Sequence, residues 1–213
     1  MPNPLPLENW YKYTIYKGSG MFGKFTFLLS LMAALFLGAC GKYSSGPPTP
    51  NNSQIAELAQ AIQALGPDVD PEEAQRAARI AFTYPLQLAR EYQITDPPII
   101  HNIKVNQGLR PRGLCWQWAQ DMETRLAQEN FQTLDLHRAI GNSEKALRID
   151  HSTVVISAKG DGMYDGLVLD PWRWGGKLFW GDPKLDKKYE WIPRQKVFDL
   201  KRGRRDRRSL AAG

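Results

Sequence analysis

The chain reads as an α+β domain in which N-terminal helices and a cysteine-bearing helix pack on an antiparallel sheet. Three observations predict this. From Ser53 to Leu65, from Asp70 to Tyr92 and from Cys115 to about Asn130, apolar side chains recur every three or four positions, the period of an amphipathic helix. From Phe131 onward the apolar runs are short and rich in Val, Ile, Leu and aromatics, as strands are. Turn signals at Gly141-Asn142-Ser143 and Gly160-Asp161-Gly162 separate those runs. Helices first and strands afterwards give an antiparallel sheet with helices on it.

The 213 residues predict one domain with appendages. From Met21 the chain shows a basic residue, Lys24, an apolar run from Phe25 to Phe36, and Leu37-Gly38-Ala39-Cys40. This is the order of a secretory signal, and the run is shorter than the roughly 20 residues of a membrane span. Leu37-Gly38-Ala39-Cys40 resembles the lipobox of bacterial lipoproteins, which implies acylation of Cys40 and a mature chain that starts there. The expected organisation is therefore an upstream extension at 1–20, a signal peptide at 21–39, a flexible tether at 40–52, a domain at 53–200 and a basic disordered tail at 201–213. The tether rests on Ser44-Ser45-Gly46-Pro47-Pro48-Thr49-Pro50, a composition that cannot bury a core.

Charge excludes one function class. The residues from 40 onward carry 25 basic and 21 acidic side chains, and six of the basic ones lie in the last thirteen residues. The body is nearly neutral, whereas a nucleic-acid-binding domain carries its basic stripe on folded elements. The tail is expected to meet solvent or anionic lipid.

Within the domain, Ser53 is expected to cap a first helix bearing Ile55, Leu58, Ile62 and Leu65, ended by Gly66-Pro67. Asp70-Pro71-Glu72-Glu73 starts a second, with a capping residue, proline at the first helical position and acids in the first turn. A kink or break is expected at Pro85, which lacks a backbone donor. Ile99 to Asn106 reads as irregular or short extended chain, and Gly108 to Gly113 as the approach to a helix from Cys115 to about Asn130. Strands follow at 131–140, 147–158 and 166–172, with further extended segments at 177–180 and 189–192.

The chemistry turns on Cys115. If Cys40 is acylated, Cys115 is the remaining thiol in an exported chain, where structural cysteines usually come in pairs. A helix N-terminus favours the thiolate, which is the nucleophilic form. Such a nucleophile needs a base, and the base needs an orienting partner. His151 opens the most apolar strand, and Asp170 closes the next, which would bring both to one end of the sheet. The alternative is a buried Cys115 acting as a small apolar residue.

Gly113-Leu114-Cys115-Trp116-Gln117-Trp118-Ala119, the strand-opening His151 and Asp170-Pro171-Trp172 together resemble the transglutaminase-like branch of the papain-type cysteine enzymes. The resemblance covers about residues 99 to 180. It implies a nucleophile at Cys115, a base at His151 and an orienting acid at Asp170. By the same analogy Gln107 is a candidate oxyanion donor beside the Cys115 amide, with a nearby Trp as an equal alternative. The implied reaction is hydrolysis or acyl transfer on amide bonds of protein or peptidoglycan peptides, without a cofactor. The implied location is a lipid-anchored envelope protein, on the outer membrane facing the periplasm if the cell is Gram-negative. From another class, a non-catalytic binding module with Cys115 buried remains open. No calcium loop is evident, and a zinc site from Cys115 and histidines lacks paired-ligand spacing. His101 is read as a structural or groove-shaping residue, His137 as a strand-surface residue, Asp150 and Asp165 as ordinary turn charges. Trp116, Trp118, Trp172, Trp174 and Trp180 are core or groove residues.

Overall fold

A computed structural model describes residues 46–211 in backbone and 46–207 in side chain. The expected extension, signal segment and Cys40 lie outside the described residues. The elements run α1 (Asn52–Gln63), α2 (Pro71–Glu91), α3 (Pro98–Asn106), α4 (Cys115–Ala127), β1 (Leu134–Gly141), β2 (His151–Ala158), β3 (Leu167–Trp174), β4 (Lys177–Gly181), β5 (Trp191–Pro193) and α5 (Arg194–Ala211). A 3₁₀ turn, Met163–Asp165, sits between β2 and β3. The fold is α+β, with helices packed against a five-stranded antiparallel sheet in the order β4-β3-β2-β1-β5. Among the described residues, no helix is long and apolar enough to cross a membrane.

Strand β2 is buried at all eight positions because it is covered on both faces. Val154, Ile156 and Ala158 turn toward α1, α2 and α4 and join Leu58, Ala78, Met122 and Leu126 in the main core. Val155 turns the other way, with Ala139, Val168, Met163, Tyr189 and Trp191. Each large aliphatic side chain buried this way contributes about 1.5–3 kcal/mol. His151 and Asp170 belong to the second face by their period-two spacing from Val155 and Val168.

Several expectations change. The first helix is capped by Asn51, whose side chain accepts from the Gln54 amide at 2.8 Å while Gln54 returns the bond to the Asn51 amide at 3.0 Å. Ser53, expected as the cap, donates its hydroxyl to Asn51 instead. The last residues of the expected tether therefore belong to the domain. Asp70 caps α2 as expected, accepting from the Glu72 and Glu73 amides at 2.8 and 2.9 Å. That helix runs through Pro85 without a break. Its flanking residues Ala81, Phe82, Leu88 and Ala89 are buried, and this packing outweighs the missing donor.

Residues 98–106 form a helix, whereas irregular or short extended chain was expected from Ile99 to Asn106. Its buried face is polar, made by His101 and Asn102, while Ile99, Ile100 and Ile103 are exposed. The usual apolar signal is thus inverted. The strand expected from residue 147 starts at His151, and Leu147 adopts a left-handed φ of 63° in the preceding loop. Residues expected as a disordered tail continue α5 as far as Ala211, and Lys201 of that helix is ion-paired with Asp150.

Candidate active site

The three residues ahead of Cys115 are each tied down by hydrogen bonds. His101 Nε2 bonds the Arg112 carbonyl at 2.9 Å. The Arg112 guanidinium grips both carboxylate oxygens of Asp121 at 2.8 Å, and Asp121 also accepts from the Tyr92 hydroxyl. The Gly113 carbonyl accepts from Trp118 Nε1 at 3.0 Å. Gln117 reaches back so that Oε1 accepts the Gly113 and Leu114 amides at 2.8 and 3.0 Å. This is one arm of a capping box, since Leu114 has no side-chain acceptor to supply the other. Gly113 has φ +126°, and a Cβ there would lie 2.4 Å from His101 Nε2. The glycine is thus required both by backbone conformation and by the histidine pressed against it.

Cys115 stands at the first turn of α4 and is 8% exposed. Its sulfur donates to the Asp150 carbonyl at 3.5 Å, which puts it beside the residue preceding His151. His151 is 2% exposed, and its Nε2 donates to Asp170 Oδ2 at 2.7 Å. The contact is diagonal: β2 and β3 pair Val154 with Leu169, and continuing that register by one residue sets Thr153 opposite Asp170. Asp170 lies within β3, which runs on to Trp174 past an irregularity, and does not close it. His151 Nδ1 is buried and has no hydrogen-bond partner. The thiol points to the carbonyl, yet it is close enough to help stabilise a positive imidazole.

Three rings enclose His151: Trp172, Tyr189 and Trp191, with centroids at 4.6, 4.5 and 5.4 Å. Trp172 is in turn held by Asn102, whose Oδ1 accepts from the indole at 3.2 Å. Burial alone would lower the histidine pKa. The Asp170 charge and hydrogen bond, with the Cys115 thiol, outweigh burial and push it up to about 9. Burial likewise acts to raise the Asp170 pKa, but the attraction of His151 and Arg173 holds it below the usual carboxylate range.

Arg173 and Asp186 were not found from the sequence. Arg173 is 6% exposed and donates Nε to Asp170 Oδ2 at 3.0 Å, the same oxygen that His151 uses. Its other nitrogens reach Asp186 at 3.2 and 2.5 Å, and Trp191 Nε1 donates to Asp186 at 2.9 Å. The result is a buried run of alternating charge from His151 through Asp170 and Arg173 to Asp186. The weak signal for it was the arginine three residues after Asp170; Asp186, in a loop, gave none.

Gln107 is the exposed C-cap of α3 and does not line the hollow beside Cys115. His137 bonds Ser157 Oγ at 2.8 Å from β1. Trp118 and Trp172 are core residues, whereas Trp116 is 47% exposed. Among the described residues, no cluster of three or more His, Cys, Asp or Glu is arranged to hold a metal ion. A groove of about 520 Å³ opens at Cys115 and is bounded by Trp116 and Gln120 of α4, Ile140 and Ser152 of the sheet, and Arg194 and Phe198 of α5. An imidazole fixed at Nε2 by a carboxylate, with Nδ1 unengaged near a thiol at a groove, has the parts for moving a proton to and from sulfur. No family model matches the chain, and no curated protein or solved structure matches it either.

Proposed function

We propose that the domain is a thiol hydrolase or acyltransferase acting on amide bonds of protein or peptidoglycan peptides, carried by a lipoprotein anchored at Cys40 in the bacterial envelope. His151 takes the Cys115 proton, and the thiolate attacks the amide carbonyl carbon. The Cys115 amide, at the head of α4, is the donor closest to the developing oxyanion. His151 returns the proton to the amine as the C–N bond breaks and a thioester forms. Water or a second amine then attacks the thioester, giving its proton to His151, and the thiol is regenerated as the acyl group leaves.

The observation that carries this reading is the state of His151: one nitrogen fixed by Asp170, the other unengaged and buried, with Cys115 as neighbour. The thiol donates to the Asp150 carbonyl and not to Nδ1, and loosely made contacts of this kind are common in unliganded sites. That same contact with the Asp150 carbonyl favours the second reading, a binding module in which Cys115 is merely packed.

Alkylation of the folded protein separates the two. Cys115 is expected to react with iodoacetamide at pH 6, and His151→Ala to slow that reaction by about tenfold or more. A thiol that stays unreactive up to pH 9, or reacts at the same rate in both proteins, removes the catalytic reading.

A further inference from the structure

Resting on the reading of Cys115 as a nucleophile, we propose that the amide substrate carries a carboxylate, which Arg194 binds in the groove beside the thiol. The groove passes between α4 and α5 over the β1–β2 pair, with Ile140 and Ser152 as its floor and Trp116 and Phe198 as aromatic walls. Its volume of about 520 Å³ is in the range of small-ligand sites.

Four charged side chains line it, and three are already paired. Arg138 holds Glu123 at 3.0 Å and gives a further N–H to the Trp116 carbonyl at 3.3 Å. Asp150 is bound by Lys201 from α5. Arg194 has no carboxylate partner among the described residues, and its guanidinium lies over the Phe198 ring, 4.5 Å from the centroid. The two are four apart on α5, so the helix itself holds them together. A guanidinium lying on a ring keeps its edge N–H groups free, and that planar fork matches a carboxylate by two parallel bonds. One unneutralised cation between low-dielectric aromatic walls draws anions toward the thiol.

Two alkylating probes of similar size test this on the full chain. Iodoacetate carries a carboxylate and iodoacetamide does not; with either, the thiolate forms an S–C bond and iodide leaves. The measured quantity is the ratio of the iodoacetate to the iodoacetamide rate constant at Cys115. Arg194→Gln is expected to lower that ratio by about three- to tenfold. Lys196→Gln, which removes a cation of the same helix that does not line the groove, is expected to leave it unchanged. Arg194 is exposed, so a melting curve matching that of the parent serves as the folding control. An unchanged ratio in Arg194→Gln overturns the proposal, as does an equal fall in Lys196→Gln, which would assign the effect to the charge of α5 in general. Failure of Cys115 in the parent to react with either reagent overturns the nucleophile reading itself, and the recognition proposal with it.

Discussion

At the scale of single residues, Gly113 and His151 carry the sharpest consequences. Gly113→Ala forces a Cβ into His101 at a φ that side chains rarely adopt. The expected cost is about 3 kcal/mol or more in chemical denaturation, with a change in Cys115 alkylation, because the turn ahead of the cysteine must shift. A variant as stable as the parent would show that the turn yields without loss. His151 has a folded pKa above its unfolded value near 6.5, so the stabilisation it supplies is complete below that value and is lost as pH rises through about 9. Unfolding free energy is expected to fall across that window in the parent and to lose this slope in Asp170→Asn. An identical slope in both would detach it from the pair. Cys115 and His151 were nameable from sequence because Cys and His are scarce in this chain and each opens an element, and Asp170 because it stands in an Asp-Pro-Trp run on the next strand. What the sequence did not disclose is that Asp170 Oδ2 is shared with Arg173, since that depends on how the chain closes around it.

At the scale of elements, helices with an apolar face were legible and α3 was not. Its inward positions are His101 and Asn102, which serve the Arg112 carbonyl and the Trp172 indole, so the hydropathy period points the wrong way. The end of β3 makes the same point about energetics. Arg173 and Asp186 are both buried, and breaking such a pair leaves an uncompensated charge. Arg173→Met is expected to cost about 3–5 kcal/mol, and adding Asp186→Asn to recover part of it, as read from denaturation midpoints. Strict additivity of the two substitutions would mean that the pair does not act as a unit. Residues 201–211 of α5 were read as a tail because their composition is that of solvated chain, yet they continue the helix and Lys201 meets Asp150.

At the scale of the whole molecule, the proposed anchor and the groove belong to one hypothesis about where the site works. Expression in bacteria with labelled palmitate is expected to label the chain, and Cys40→Ser to abolish the label; a parent that takes up none removes the anchoring proposal. By itself the sequence determined the α+β class, the run of N-terminal helices ahead of the strands and the start of α2, and it nominated the three residues of the proposed site. Local rules suffice for these: periodicity, capping chemistry and the scarcity of Cys and His. Only the tertiary structure decided that β2 is covered on both faces, that His101 of α3 holds the turn before Cys115, and that Arg173 and Asp186 stand behind Asp170. It also decided that α5 forms a wall of the groove. These are matters of which side chains meet across long separations in the chain, and burial gives such meetings their energy without leaving a local pattern to read.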